Sequence, residues 1–324
     1  MSSVEYIIAG YERGGTTLLS ELFRANGFES GFECGVLLGN TPAEFRKIQP
    51  YWDMLLAGWK ISEETRASAI DGDIDHFYRT ICKAAFPNHE GQFFDKTPIY
   101  MKALGACMRR ASCIKGAVVI HRDPRAVFAS MAKRFEPDSP VSVVVDKHFE
   151  ILRTRYMSYF MGSIGHVESD KVLFVPFEEL ASREGAWLKS LGYFTRGKPF
   201  QKRTKKSRFV NVESTKMELG KIIEFDQLLP QELQKKILEE TRLASLFFAG
   251  PVERAKYGDL WEEVYDLATR RLNHFDLPAV GIEVDGIYFE PLTYMLRYPD
   301  ILKSGVDPVA HFRNHGRYEK RNPA

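Results

Sequence analysis

The sequence predicts an α/β fold in which helices flank a parallel sheet. Short runs rich in β-branched and aromatic residues alternate with longer segments of helical spacing, a pattern typical of strands joined by crossover helices. The first run ends in a glycine-rich turn that leads directly into a helical segment. With 324 residues, of which 44% are hydrophobic, the chain can bury one large core and a small appended module.

Strands are expected where short apolar runs end near a glycine, a proline or a charged residue. They are predicted at residues 5–9, 28–33, 92–95, 117–121 and 172–176. The intervening helices are predicted at residues 16–26, 99–110, 124–134, 145–161 and 178–191. A further helix opens near Pro230, since Leu233, Ile237 and Leu243 recur at helical spacing.

Composition excludes several classes of protein. The net charge of +2 is too small to indicate a general nucleic-acid or membrane-surface partner, and no run approaches the ~18 apolar residues of a membrane span. The four cysteines have neither a zinc-site spacing nor the density of a disulfide scaffold. A cleaved signal peptide would remove the glycine-rich turn, so we expect a cytoplasmic protein with reduced thiols.

The glycine-rich turn, Gly10-Tyr11-Glu12-Arg13-Gly14-Gly15-Thr16-Thr17, has the spacing of a phosphate-binding loop except at one position. Thr16 stands where an ATPase carries lysine, and Arg13 lies inside the loop. Such a turn at a helix N-terminus aims backbone N–H groups at one point, which suits phosphate or sulfate oxygens. The missing lysine argues against Mg²⁺–ATP chemistry, while an ordinary strand-to-helix turn stays open here.

Charged residues follow three further predicted strands. Glu33, Lys96 and Arg122 each come at the carboxyl end of a strand, and those ends share one edge of a parallel sheet. Asp123 can cap the next helix, which carries Ser130 about two turns on. Arg122 and Ser130 are therefore candidates for holding a second phosphate. The His-Arg-Asp triplet is similar to a kinase catalytic loop but lacks the asparagine expected downstream.

Together these motifs resemble those of sulfotransferases that use 3′-phosphoadenosine 5′-phosphosulfate (PAPS). Arg13-Gly14-Gly15-Thr16-Thr17-Leu18 resembles the family's 5′-phosphosulfate loop, and Arg122 with Ser130 resembles its 3′-phosphate motif. Phe94-Asp95-Lys96-Thr97-Pro98-x-Tyr100 is similar to the D-K-T-P-x-Y of carbohydrate sulfotransferases, and residues 175–180 are similar to its V-x-Y-E-D-L segment. The resemblance covers about residues 4–250.

The resemblance implies a P-loop-like α/β fold, PAPS as donor, adenosine 3′,5′-bisphosphate as product and no metal ion. It implies that Arg13 binds oxygens of the transferring sulfuryl group or the 5′-phosphate. The backbone of Gly14, Gly15, Thr16 and Thr17 and the hydroxyls of Thr16 and Thr17 would hold the 5′-phosphate, and Leu18 would belong to the same donor-binding loop. The resemblance gives the 3′-phosphate to Arg122 and Ser130. Two alternatives remain at this point: a P-loop kinase that uses ATP, and a nucleotide-binding protein without catalysis.

A glutamate base is expected from the same resemblance. Glu33 lies twenty residues after Arg13, close to the offset in tyrosylprotein and heparan-type enzymes, and Glu29 is the substitute. Lys96 would stabilise charge on the leaving bisphosphate. Lys96 is followed by Thr97-Pro98 rather than by the nearby histidine of cytosolic sulfotransferases, which favours glutamate, and His121 is expected to be a buried ring.

The C-terminal third is less informative. The basic stretch at residues 201–208 is expected to be an exposed loop, in which Ser207, or later Ser214, could contact the 3′-phosphate. A boundary is expected between a sulfotransferase domain (1–250) and an extension (251–324). The extension resembles short modules of bacterial glycan-modifying enzymes, which favours a saccharide acceptor, while a protein tyrosine, a lipid and a small metabolite stay open.

Overall fold

A computed structural model of the protein describes residues 3–166, 169–204, 219–244 and 280–324. The strands are β1 (Val4–Gly10), β2 (Phe28–Glu29), β3 (Gln92–Lys96), β4 (Gly116–His121), β5 (Val172–Pro176), β6 (Ile282–Val284) and β7 (Ile287–Phe289). The helices are α1 (Thr16–Arg24), α2 (Pro42–Phe45), α3 (Tyr51–Trp59), α4 (Glu63–Ala69), α5 (Ile74–Ala85), α6 (Leu104–Arg109), α7 (Pro124–Phe135), α8 (Val141–Lys147), α9 (Phe149–Ser163), α10 (Phe177–Ser182), α11 (Glu184–Arg196), α12 (Phe225–Leu228), α13 (Gln231–Glu240), α14 (Pro291–Arg297), α15 (Pro299–Ser304) and α16 (Pro308–His311).

The chain divides into two compact units. The first consists of Met1–Tyr100, Cys107–Arg122 and Glu168–Glu224, and it contains the large sheet. The second consists of Met101–Ala106, Asp123–Val167 and Phe225–Ala324. The predicted boundary at residue 250 lies outside the described residues, as do Ser207 and Ser214, so these assignments stay predictions.

The sheet of the first unit has five parallel strands in the order β2-β3-β1-β4-β5. Its register places Ile8 beside Lys96, Gly10 beside Ile120 and His121 beside Pro176. Because all five strands run in the same direction, the residues that follow them meet at one edge. The predicted fold class, a parallel sheet flanked by helices, is confirmed.

Helices cover this sheet and bury an apolar core. Helices α1 and α5 pack on β1, and helices α10 and α11 pack on β5. The strands are apolar along almost their whole length, as expected for a parallel sheet buried on both faces. Core side chains include Ile8, Leu19, Leu22, Phe23, Phe28, Phe94, Val118, Ile120 and Leu180.

Several element boundaries differ from the sequence predictions. The predicted strand 28–33 ends at Glu29, which leaves Glu33 in a loop. Helices α2 to α5, between β2 and β3, were not predicted, although Ser62 and Asp73 cap two of them. The predicted helix 145–161 is two helices, α8 and α9, and the predicted helix 99–110 begins as a 3₁₀ helix, Pro98–Ala103.

In its described residues, the second unit consists of helices and a small hairpin. Strands β6 and β7 pair antiparallel, and α14 packs against α9. Phe289 stacks on Phe312 at 4.7 Å between ring centroids and lies 5.1 Å from Tyr294, so these rings form the core of the C-terminal segment. In the described part of the chain, no helix is long and apolar enough to cross a bilayer.

Candidate active site

The loop between β1 and α1 has the shape of an anion cradle. Gly15 has φ +102°, and a Cβ there would lie 2.6 Å from Cδ2 of Phe177; a Cβ on Gly10 would collide with the carbonyl of Ile120. Only glycine allows this close approach of the backbone. Gly15 is the N-cap of α1 and has no side chain to cap the helix, so the first-turn N–H groups, which lack intrahelical acceptors, can donate to an anion.

Arg13 lies within this cradle and is exposed. Its φ of +64° is in the left-handed region, which is uncommon for a residue with a side chain. The Nη1 of Arg122 donates a hydrogen bond of 3.0 Å to the carbonyl of Arg13. The Arg122 guanidinium also lies over the ring of Phe177, 4.4 Å from its centroid. Phe177 therefore contacts both the glycine loop and Arg122, and it brings two of the predicted anion-binding elements together.

Lys96 and Glu33 form an ion pair at the same edge of the sheet. The Nζ of Lys96 donates a hydrogen bond of 2.7 Å to Oε1 of Glu33, although 63 positions separate the two residues. Lys96 is the last residue of β3 and is buried, while Glu33 is half-buried. Lys96 also lies 4.8 Å from the ring centroid of Phe32, which is 41% exposed. The structure therefore brings together two residues that the sequence placed at one edge of the sheet, and their ion pair was not predicted.

His121 has a different role from these charged residues. It ends β4 and is buried, and burial lowers its pKa to about 3. A ring with that pKa is neutral at physiological pH and is a poor proton acceptor. The expectation that His121 is a buried ring is confirmed.

Ser130 lies within α7, in the second unit, and its contact with a 3′-phosphate stays a prediction. The start of α7 is as predicted: Asp123 accepts a hydrogen bond of 2.8 Å from the N–H of Arg125, and Pro124 occupies the first turn. Helix α7, which carries Ser130, therefore begins two positions after Arg122 in the chain.

Comparison with known proteins decides the family. The family described as "Sulfotransferase family" matches residues 6–197, more than half of the chain, and this range contains the glycine loop, Glu33, Lys96 and Arg122. The chain belongs to the sulfotransferase family. No curated protein sequence matches the chain.

Three solved sulfotransferase structures are similar to this chain. It is similar to the sulfotransferase domain of the olefin synthase from Synechococcus PCC 7002, with a TM-score of 0.52 and 15% identity over 74% of this chain and 94% of that one. The sulfotransferase domain from the curacin biosynthetic pathway matches with a TM-score of 0.49 and 14% identity over 75% and 98%. Sulfotransferase STF9 from Mycobacterium avium matches with a TM-score of 0.34 and 14% identity over 74% and 76%.

Some residues of this sulfotransferase site were not identified from sequence. Phe177 carries no charge, and the sequence indicated it only as part of the segment 175–180, with no role in the site. Arg24, at the end of α1, donates to the carbonyls of Ser30 and Gly31 at 3.1 and 3.4 Å and so anchors the loop before Glu33. Among the residues that the structure describes, no group of three or more His, Cys, Asp or Glu side chains could hold a metal ion.

Proposed function

We propose that this sulfotransferase moves a sulfuryl group from PAPS to a hydroxyl group of a carbohydrate. The single observation that carries the proposal is the Lys96–Glu33 ion pair of 2.7 Å at the sheet edge where the glycine loop also lies. It supplies a carboxylate to accept a proton and an ammonium to stabilise negative charge. Both are what sulfuryl transfer to a weakly nucleophilic hydroxyl requires.

The residues of the loop fit the donor's 5′-phosphosulfate. The cradle admits no Cβ at Gly10 or Gly15, so backbone N–H groups can approach the phosphate oxygens closely. The exposed guanidinium of Arg13 would bind sulfuryl or phosphate oxygens. Arg122, whose guanidinium is held against Phe177, would bind the 3′-phosphate together with Ser130. We propose no metal ion in this reaction.

The chemistry assigns one proton transfer to the protein. As the acceptor's oxygen forms a bond to sulfur, its proton moves to Oε2 of Glu33, because Lys96 donates to the other oxygen, Oε1. The bond between sulfur and the bridging oxygen of the 5′-phosphate breaks, and adenosine 3′,5′-bisphosphate leaves with the bond's electrons. The ammonium of Lys96 stabilises the charge that develops there.

A saccharide is the acceptor we propose. It is supported by the similarity of Asp95-Lys96-Thr97-Pro98-x-Tyr100 to the D-K-T-P-x-Y of carbohydrate sulfotransferases, and by the C-terminal segment's resemblance to modules of glycan-modifying enzymes. The exposed ring of Phe32 beside Lys96 supplies a flat apolar surface of the kind that packs on a sugar ring. We propose the cytoplasm as its compartment, since Cys34, Cys82, Cys107 and Cys113 are all free thiols.

The test is transfer of label from ³⁵S-PAPS to a panel of acceptors by the purified full-length protein. We expect labelled glycan without added metal, and binding of adenosine 3′,5′-bisphosphate by calorimetry. Label on a hydroxyacyl or tyrosyl acceptor alone would contradict the carbohydrate part of the proposal. Mg²⁺-dependent turnover of ATP, with no binding of adenosine 3′,5′-bisphosphate, would contradict the proposal that PAPS is the donor.

A further inference from the structure

The loop of residues 30–37, which carries Glu33, is held by hydrogen bonds to its backbone. The N–H of Phe32 donates to the carbonyl of Gly58 at 2.8 Å, and the carbonyl of Leu37 accepts from Nη1 of Arg110 at 2.6 Å. Three more loop amides, those of Cys34, Gly35 and Leu37, donate to side chains of one short segment, residues 95–100. That segment is the D-K-T-P-x-Y stretch, which also contains Lys96.

Asp95 is the centre of this arrangement and is fully buried. Its Oδ1 accepts hydrogen bonds from the Cys34 N–H at 3.2 Å and from the Thr97 hydroxyl at 2.8 Å. Its Oδ2 accepts from the hydroxyls of Tyr78 at 2.8 Å and of Tyr100 at 2.6 Å. Burial raises the pKa of Asp95, while these hydrogen bonds act in the opposite direction. A carboxylate with four donors satisfies all of these groups at once.

The carboxylate of Asp95 also orients two hydroxyl groups toward the loop. The Thr97 Oγ1 accepts from the Gly35 N–H at 3.3 Å, and the Tyr100 hydroxyl accepts from the Leu37 N–H at 3.3 Å. Each hydroxyl can accept from the loop because its own hydrogen points at Asp95. An ionised carboxylate only accepts hydrogen bonds, so it fixes the direction of both.

We propose that Asp95 is a positioning residue for sulfuryl transfer: through the Cys34 N–H, Thr97 and Tyr100 it holds the loop so that the Glu33 carboxylate stays on Lys96. Asp95 and Lys96 are adjacent on β3, so one strand positions the cation with one residue and the base's loop with the other. This inference rests on the proposed function, in which Glu33 accepts the proton. It adds a second carboxylate that does not touch either substrate.

Substitutions of two tyrosines, Tyr78 and Tyr100, distinguish a positioning role of Asp95 from a merely structural one. Tyr78 and Tyr100 are both fully buried, and both donate to Oδ2 of Asp95. Among the described residues, the Tyr100 hydroxyl also accepts a hydrogen bond from a loop amide, whereas the Tyr78 hydroxyl, on α5, is bonded to Asp95 and to no loop amide. Tyr78→Phe is therefore the matched control for Tyr100→Phe, since each variant removes one buried hydroxyl and one hydrogen bond to Asp95.

The first experiment measures hydrogen exchange of backbone amides in the folded full-length protein. For Tyr100→Phe and Thr97→Val we expect exchange of the amides at residues 34–37 to be at least about tenfold faster, and for Tyr78→Phe we expect a change of less than about threefold. Equal acceleration in Tyr78→Phe and Tyr100→Phe would overturn the proposal, since the loop contact would then not matter. This readout needs no substrate, so it stands even if PAPS is not the donor.

The second experiment measures steady-state kinetics with PAPS and the acceptor found for the wild type. We expect Tyr100→Phe, Thr97→Val and Asp95→Asn to lower kcat by about tenfold or more with little change in KM for PAPS, because only the base is displaced. Their acid limb in the pH–rate profile should shift, and that of Tyr78→Phe should not. If loop exchange accelerates while kcat and the pH profile stay unchanged, Asp95 has only a structural role and the proposal is wrong. If the wild type itself transfers no sulfuryl group, the proposed function fails, and the exchange data then test the loop contact alone.

Discussion

The guanidinium of Arg122 holds the carbonyl of Arg13 at 3.0 Å, and Arg13 has a left-handed backbone. This bond joins the residue after β4 to the loop after β1, across two neighbouring strands of the sheet. A positively charged donor thus supports the conformation that aims a second positively charged side chain outward. We propose that the two arginines act together in donor binding, and their separate contributions can be measured.

Arg13 should show opposite effects on stability and on binding. Arg13→Gly relieves the left-handed backbone strain, and Arg13→Ala keeps it. In urea denaturation, the glycine variant should therefore be more stable than the alanine variant by about 1 kcal/mol. Both variants lose the guanidinium, and both should bind adenosine 3′,5′-bisphosphate more weakly by about tenfold or more in calorimetry. Equal affinity of either variant and the wild type would exclude Arg13 from the donor site.

Arg122 should distinguish ligands by their 3′-phosphate. Arg122→Ala should weaken binding of adenosine 3′,5′-bisphosphate by about 10²-fold, since a charge-assisted contact to phosphate is lost. Binding of adenosine 5′-monophosphate, which lacks the 3′-phosphate, should change by less than about threefold. If both ligands lose affinity equally, Arg122 acts only through the carbonyl of Arg13.

Glu33 and Lys96 should control turnover rather than donor binding. Glu33→Gln and Lys96→Met should each lower kcat by about 10²-fold or more, because one removes the proton acceptor and the other the cation. Calorimetric affinity for the bisphosphate should stay within about threefold in Glu33→Gln. Glu29→Gln, at the end of β2, is the control and should keep wild-type kcat. Loss of activity in Glu29→Gln with full activity in Glu33→Gln would reverse the assignment of the base.

Phe32 should affect the acceptor and not the donor. Its ring is exposed beside Lys96, so Phe32→Ala should raise KM for the acceptor by about tenfold with KM for PAPS unchanged. Tyr193→Ala removes an even more exposed ring, from α11, and should leave both constants at wild-type values. A rise in both KM values for Phe32→Ala would indicate a general disturbance of the site.

His121 should make stability fall at mildly acidic pH. Burial lowers its pKa from 6.5 to about 3, so below pH 6.5 the unfolded chain takes up a proton that the folded one excludes. The contribution of neutral His121 to the free energy of unfolding is complete above pH 6.5. It is lost as pH falls toward 3, with a slope of up to about 1.4 kcal/mol per pH unit. Urea denaturation at pH 7 and pH 5 should show a smaller decrease for His121→Gln than for the wild type. An equal decrease in both would assign the acid sensitivity to other groups.

Much of the sheet and of the site follows from local sequence. Strand β4 was predicted to within one residue at its start, because a short β-branched run such as Ala117-Val118-Val119-Ile120 is typical of a buried strand. The meeting of Glu33 with Lys96 followed from their positions after parallel strands, and the structure confirms it at 2.7 Å.

What the sequence did not predict depends on tertiary contacts. Helix α5 has apolar side chains at helical spacing, but the three helices before it are short and lie in a segment of mixed pattern. The hydrogen bond from the Tyr78 hydroxyl to Asp95 could not be predicted without α5, since the two groups meet only after folding. Phe177 is similar: an apolar residue gives no sequence signal that it will lie under an arginine.

The loop that carries Glu33 is anchored through backbone amides, and this affects which substitutions it can accept. The bonds at Phe32, Cys34, Gly35 and Leu37 use main-chain N–H groups, which every residue except proline possesses. Position 32 can therefore exchange its side chain while the neighbouring carboxylate keeps its place. A library at that one position is a direct route to altered acceptor preference without loss of the catalytic step.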